Sequence, residues 1–346
     1  MREYFDINSE TVQPGESRVI QLTLPGLHSE TEVSMPVHVV HGKKSGPVLF
    51  LSAAIHGDEI NGVEVIRRIL TLNSIKHLKG TLLAVPIVNV FGFDNHSRYL
   101  PDRRDLNRCF PGKESGSMAG RLANIFMTEV VCRSDFGIDL HTAAIHRDNF
   151  PQIRADLKVD RMDAISRAFA SPVLLHSAPP ENSLRYAAEK EGVPVMVYEA
   201  GEALRFDEVS IRVAVRGVLN VMRELGMLTK SRAKKVKPPV VLKSSNWVRA
   251  SKSGILRAQV ALGDMVVKGD VLGIISDPAG KAEDVIEATS AGIIIGRSNI
   301  PLVYEGEALF HIGRSQKTSL LEEHIDTMQD DEAIMPPELV EEPVIV

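Results

Sequence analysis

Apolar runs separated by polar loops recur along the first two thirds of the chain. Residues 48–55 are almost entirely apolar, and residues 60–72 carry apolar side chains at helical spacing. The same pattern predicts strands at 81–90, 136–140 and 195–198, and helices at 119–131, 161–169, 183–191 and 209–225. This alternation predicts an α/β fold with a largely parallel sheet flanked by helices. In such folds the loops at the carboxyl ends of the strands carry the functional residues.

Composition shifts divide the chain into further segments. An α/β domain is expected at 1–230. Its first residues, 1–42, are expected to form a β-rich edge, because residues 19–40 alternate apolar and polar side chains. The basic, proline-containing stretch 231–246 is expected to be a linker. Residues 247–314 are rich in Val, Ile, Gly and Asp, which predicts a small all-β domain. The acidic tail at 315–346 has no clear period and is expected to be mobile.

The net charge of the chain and the length of its apolar runs exclude some classes of binding partner. The chain has 346 residues and a formal net charge of -5, which argues against nucleic acid or an anionic membrane as partner. Its apolar runs are too short to cross a bilayer. The first residues lack the apolar stretch of a signal peptide, so a cytoplasmic location is expected. Small molecules are therefore the expected partners.

Three residues at the ends of predicted strands could bind one metal ion. His56 and Glu59 follow the strand at 48–55, and His141 ends the strand at 136–140. A lone His-x-x-Glu pair often occurs by chance in an exposed loop, but a parallel sheet would bring His141 beside it. Two histidines and one glutamate form a catalytic zinc set in which the fourth position stays open for water or substrate. Such an ion polarises a carbonyl and acidifies water.

Glu199 ends another apolar strand and would lie at the same edge of the sheet. It is the candidate general base, which would take a proton from water and pass it to the leaving nitrogen. The alternative is an exposed loop carboxylate, and Glu202 could compete for the role.

A loop at 98–108 contains four arginines and an asparagine. Arginine binds carboxylates through two parallel hydrogen bonds and can stabilise an oxyanion. Taken alone, a solvated arginine-rich loop is the simpler interpretation.

Together these clusters resemble the succinylglutamate desuccinylase/aspartoacylase family, over roughly residues 45–225. The motifs occur in the family's order: His56-Gly57-Asp58-Glu59, Arg98-Tyr99, Asp105-Leu106-Asn107-Arg108, Asp139-Leu140-His141-Thr142 and Tyr198-Glu199. The family is similar in fold to zinc carboxypeptidases, which implies a mixed, largely parallel sheet. The resemblance implies one Zn2+ per chain, bound by His56, Glu59 and His141, with Glu199 as the general base.

The resemblance also implies roles for the arginine loop. Arg98 would hold the carbonyl oxygen as it becomes negative, and Asn107 with Arg108 would clamp a substrate carboxylate. Here Arg98 stands further from Asn107 than in aspartoacylase, because Asp102-Arg103-Arg104 lengthens the loop. Arg103 or Arg104 could therefore take part of the role of Arg98, and Arg104 is a further candidate for substrate binding.

The β-rich segment resembles a biotinyl/lipoyl-like barrel. Lys281 lies near the hairpin at which carrier proteins of that type hold their cofactor, but it lacks the flanking residues expected of a modified lysine. An unmodified barrel that shapes the mouth of the pocket, or that forms an oligomer interface, is favoured.

These observations favour a zinc-dependent hydrolase that cleaves the amide of a small N-acylated amino acid or diamino acid, of the N-acetyl or N-succinyl class. A metallocarboxypeptidase acting on peptides would use the same zinc site. A non-enzymatic ligand-binding or carrier protein would place its function in the barrel. The acyl group, the amine product and the formation of a homo-oligomer are left open by the sequence.

Overall fold

The computed structural model describes residues 2–230, 238–281 and 283–315. Within these residues the strands are β1 Phe5–Ile7, β2 Glu10–Val12, β3 Ser17–Thr23, β4 Ser34–His41, β5 Lys44–Ala53, β6 Lys79–Val85, β7 Phe136–His141, β8 Arg147–Ala155, β9 Val173–His176, β10 Val195–Gly201, β11 Val240–Leu242, β12 Ser244–Arg249, β13 Gly254–Ala258, β14 Met265–Val266, β15 Val271–Ser276, β16 Glu283–Glu287, β17 Gly292–Ser298, β18 Leu302–Val303 and β19 Ala308–Arg314. The α-helices are α1 Asn61–Thr71, α2 Val90–Asp94, α3 Met118–Glu129, α4 Met162–Phe169, α5 Leu184–Lys190 and α6 Glu208–Glu224. Short 3-10 turns occupy Ile75–His77, Leu106–Arg108 and Val131–Arg133.

Several helices begin at side-chain caps. Ser117 accepts a hydrogen bond from Gly120 N at α3, Ser183 does so from Tyr186 N at α5, and Asp207 accepts from Val209 N at α6. Such caps satisfy backbone N–H groups that the first helical turn leaves unpaired.

The sheet lies between two helical layers. On one face α1, α4 and α6 pack against the strands, and on the other α3 and α5 do so together with the N-terminal strands. On β5, Leu49 and Leu51 pack against one helical layer and Phe50 packs against the other, and all three are fully buried, as expected of a strand covered on both sides. Gly137 on β7 permits this packing, because a Cβ atom there would lie 2.1 Å from the Phe50 ring.

The sheet is mixed, and its parallel part is smaller than the sequence predicts. The neighbours β6, β5, β7 and β10 run parallel, and β8, β9 and β11 form a second parallel set. The two sets meet at the antiparallel pair β8 and β10, and β3 and β4 add antiparallel strands at the other side. The sequence analysis missed β8 and β9. Strand β8 carries polar side chains that interrupt the apolar pattern by which buried strands are recognised, and β9 has only three apolar residues in succession.

The C-terminal strands form a β module built on two sheets. One sheet has the order β16, β15, β13, β18, and the other contains β12, β19, β17 and β14. Buried residues between them, including Leu272, Ile294 and Phe310, form a separate apolar core. Strand β17 also pairs with β8, so the module continues the sheet of the α/β part.

The segment predicted to be a linker contains regular structure. Strand β11 lies within it and pairs with β9, and β12 begins at Ser244. Residues 231–237 of this segment, and residues 316–346 of the acidic tail, lie outside the described residues. Among the helices that are described, none has the length and apolarity required to traverse a bilayer.

Candidate metal centre and active site

The turn after β5 presents two buried polar side chains. His56 is 4% exposed and Glu59 is 2% exposed. Their turn runs close to another backbone segment, since a Cβ atom on Gly57 would lie 2.0 Å from the carbonyl carbon of Gly92. Glycine is therefore required at this position, and helix α1 begins two residues after Glu59.

Strand β7 brings His141 to the same place. β7 pairs in parallel with β5, so the carboxyl ends of both strands meet at one edge of the sheet. One oxygen of Glu59 lies 2.6 Å from His56 Nδ1, and the other lies 2.7 Å from His141 Nδ1. Ligand atoms of the three residues all lie within 4.8 Å of one another. The donor set and its burial fit a metal ion with two nitrogen ligands and one oxygen ligand.

Each histidine has a carboxylate behind it. His56 Nε2 lies 3.1 Å from Asp105 Oδ1, and His141 Nε2 lies 2.7 Å from Asp139 Oδ2. Ser52 in turn donates to Asp139 at 2.8 Å. Carboxylate partners of this kind fix the orientation of a metal-binding imidazole and leave Nδ1 to face the ion.

The sequence analysis gave neither aspartate a role, although one signal was present. Asp139 and His141 are two residues apart on one strand, so their side chains lie on the same face. Asp105 has no such signal, because it comes from a distant loop.

The opposite charges of the carboxylates and imidazoles in this cluster shift one another's pKa values. Burial alone would raise the pKa of Glu59, but the neighbouring charges of His56 and His141 outweigh it and hold that pKa well below its ordinary value. Burial would lower the pKa of His141, yet Asp139 and Glu59 raise it well above the ordinary value. The carboxylates of the cluster therefore favour positive charge at this place.

Arg98 is the arginine of the loop that reaches this centre. Its Nη1 lies 3.2 Å from Glu59 Oε1, and its Nη2 lies 2.9 Å from Asp105 Oδ2. The side chain is 25% exposed, so it faces both the cluster and the solvent. Arg103 and Arg104 are exposed, and Arg104 has a 3.8 Å contact with Asp102 instead.

Asn107 and Arg108 lie at the other end of the loop. Asn107 Oδ1 accepts a hydrogen bond from Leu184 N at 2.8 Å, which ties the loop to the beginning of α5. Arg108 is exposed and donates to the Asn107 carbonyl at 2.7 Å. Asn107 is thus half-buried and fixed, whereas Arg108 faces solvent.

Glu199 lies beside the candidate metal ligands, on the strand adjacent to β7. In the parallel pair of β10 and β7 it is the register partner of His141. Its Oε2 accepts a hydrogen bond from Asn149 Nδ2 at 2.9 Å and forms an ion pair with Arg154 Nη2 at 2.9 Å. Both donors belong to strand β8, which the sequence analysis did not predict.

Glu202, the competing carboxylate, is bonded elsewhere. One of its oxygens accepts from His146 N at 2.9 Å, and the other accepts from Asn299 Nδ2 at 3.0 Å. Glu202 thereby links the loop after β7 to the β module.

Comparisons with known proteins give a consistent set of relatives. The model of the succinylglutamate desuccinylase/aspartoacylase catalytic domain matches residues 45–225. N-alpha-acetyl-L-2,4-diaminobutyric acid deacetylase of Halomonas elongata is 27% identical over 308 residues, which cover 84% of this chain and 88% of that enzyme. Succinylglutamate desuccinylase of Pseudomonas aeruginosa is 30% identical over 212 residues, which cover 55% of this chain and 61% of that enzyme.

A solved structure extends the likeness to nearly the whole fold. The product-bound ectoine utilization protein of Ruegeria pomeroyi superimposes with a TM-score of 0.78 at 25% sequence identity. The superposition covers 86% of this chain and 95% of that one, so it includes the β module as well as the α/β part.

Proposed function

The chain belongs to the succinylglutamate desuccinylase/aspartoacylase family, and from this premise we propose that it is a zinc-dependent hydrolase of small N-acylated amino acids or diamino acids. The named activities of its relatives, a deacetylase and a desuccinylase, support this class of reaction. The observation that carries the proposal is the buried cluster of His56, Glu59 and His141 with Glu199 on the adjacent strand.

The residues of the cluster fit zinc. His56 Nδ1, His141 Nδ1 and the Glu59 carboxylate would hold the ion, supported by the aspartates behind the two imidazoles. Zinc would polarise the acyl carbonyl and make water acidic enough to act as a nucleophile near neutral pH. One ion per chain is proposed.

The protein's own groups would then stabilise charge and move one proton. The water oxygen forms the new C–O bond, the amide C–N bond breaks, and Glu199 carries a water proton to the leaving nitrogen. Arg98 would bind the carbonyl oxygen as it becomes negative, since its guanidinium contacts the metal ligand Glu59. The products are a carboxylic acid and a free amine.

A carboxylate on the amine half would bind at the end of the arginine loop. Asn107 is fixed there by its hydrogen bond to Leu184 N, and the neighbouring Arg108 can present two parallel donors. Arg104 has the weaker support for substrate binding, because its side chain is 59% exposed and faces Asp102.

Glu199→Gln tests the proposal. Turnover of N-acetyl-2,4-diaminobutyrate and N-succinylglutamate should be abolished, while bound zinc stays near one per chain. Glu202→Gln is the matched control and should stay active, because the Glu202 oxygens are bonded to His146 and Asn299. Near-normal turnover by Glu199→Gln would remove it as the base, and loss of turnover in Glu202→Gln alone would assign the proton transfer to Glu202.

The same assay separates the alternative functions. Cleavage of long peptides in preference to N-acyl amino acids would favour a metallocarboxypeptidase. A metal-free, inactive protein with a modified Lys281 would favour a carrier. The cytoplasmic location and a homo-oligomer stay predictions.

A further inference from the structure

Strand β8 directs two nitrogen donors at one oxygen of Glu199. Asn149 Nδ2 and Arg154 Nη2 each lie 2.9 Å from Oε2. Among the residues that the structure describes, no donor contacts Oε1. The two oxygens of this carboxylate are therefore inequivalent.

We propose that Asn149 and Arg154 are positioning residues, which hold Oε2 of Glu199 so that Oε1 accepts the proton from water. The proposal rests on the proposed function, because it assumes that Glu199 is the general base. A carboxylate with one anchored oxygen loses most of its rotational freedom. Its second oxygen then has a defined direction, as general base catalysis requires.

Arg154 is suited to this role by its surroundings. Its Nε is buried and has no hydrogen-bond partner in the described structure. Nearby, burial lowers the pKa of Arg185 to about 10, with the charge of Arg154 as one of the lesser contributions. The Arg154 side chain is only 27% exposed and lies near a second arginine, so the Glu199 carboxylate supplies the anion that offsets its charge.

Asn149 connects this anchor to the β module. Asn149 on β8 is the register partner of Gly296 on β17. A Cβ atom on Gly296 would lie 2.9 Å from Asn149 Oδ1, so the glycine leaves room for the amide that holds Glu199. The module thereby contacts the residue that holds Glu199, although it supplies no group to the proposed chemistry.

The test compares Arg154→Met, Arg154→Lys and Asn149→Ala in the full-length, zinc-loaded enzyme with N-acetyl-2,4-diaminobutyrate. Arg154→Met should lower kcat about 100-fold with little change in KM, because misplacement of a catalytic group costs rate and not substrate affinity. Arg154→Lys should recover part of kcat, since it keeps the charge. Asn149→Ala should lower kcat in the same direction. Zinc content should stay at the wild-type level in all three.

Chemical rescue adds a readout that a merely structural role would not move. Guanidinium at low millimolar concentration should restore part of kcat to Arg154→Ala and leave the wild type unchanged. Arg167→Met is the matched control, because Arg167 forms an exposed ion pair with Asp163 on α4. Its kcat should equal that of the wild type.

The outcomes separate the two proposals. Wild-type kcat in Arg154→Met, together with an inactive Glu199→Gln, would overturn the positioning role of Arg154 and leave the proposed function unchanged. An active Glu199→Gln would overturn both. Arg154→Met could fail to fold or lose zinc. In that case, wild-type kcat in both Arg154→Lys and Asn149→Ala would show that Arg154 has a structural role, and it would overturn the positioning proposal.

Discussion

The Nε2 atom of His56 lies 3.1 Å from Oδ1 of Asp105, although the two residues are 49 positions apart in the chain. Asp105 also contacts Arg98 and accepts a hydrogen bond from Asn107 N at 2.8 Å. One carboxylate therefore orients a candidate metal ligand, the candidate oxyanion arginine and the end of the arginine loop. The arginine loop and the metal centre are a single hydrogen-bonded unit.

Asp105→Asn should weaken zinc binding about 10–100-fold, because an asparagine is a poorer partner for the imidazole N–H than a carboxylate. Competition with a chelator would measure the affinity. Asp102→Asn is the control from the same loop, since Asp102 contacts Ala119 N and not a histidine. Equal zinc affinity in the two variants would contradict the role given to Asp105.

His56→Ala should lose both zinc and turnover. The variant removes one of three protein ligands from a buried site, so metal analysis should find much less than one ion per chain. His28→Ala removes an exposed histidine and should keep both. Full zinc content in His56→Ala would place the ion elsewhere.

Arg98→Met should lower kcat about 100- to 1000-fold, the range typical for removing one oxyanion donor. Arg103→Met and Arg104→Met should change kcat little, because both side chains are exposed and neither contacts the cluster in the described structure. Steady-state kinetics on the three variants would decide which arginine of the loop acts. A larger loss in Arg104→Met than in Arg98→Met would reverse the assignment.

His311 should make the fold sensitive to acid. Its ring stacks on Trp247 with centroids 4.6 Å apart, and burial, assisted by the charge of Arg154, lowers its pKa to about 3. The folded state therefore binds fewer protons than the unfolded state below pH 6.5, and stability falls as the pH falls through that value.

The free energy of unfolding should fall by about 2 kcal/mol between pH 8 and pH 5. This figure follows because each pH unit below the ordinary histidine pKa costs about 1.4 kcal/mol. Denaturant unfolding at both pH values would measure it. His311→Phe keeps an aromatic ring on Trp247 and should remove this part of the pH dependence. An unchanged pH dependence in His311→Phe would show that other groups cause the acid sensitivity.

Much of the fold could be predicted from local patterns. Strand β5 and helix α1 lie close to their predicted positions, because continuous apolar runs and helical spacing are properties of neighbouring residues. The predicted family is confirmed by the match at 45–225. The prediction of a largely parallel sheet was too broad, because β8 enters antiparallel between β10 and β17.

The sequence by itself determined the metal ligand candidates and the general base candidate, since His56, Glu59, His141 and Glu199 each follow an apolar strand and form motifs within a few residues. Only the tertiary structure decided which groups form hydrogen bonds or ion pairs with these candidates. Asp105, Asn149 and Arg154 reach the site from a loop and from a strand whose pairing is non-local. The physical reason is that a side chain's partners depend on strand order and register, and these are fixed by packing across the whole sheet and not by the spacing of residues along the chain.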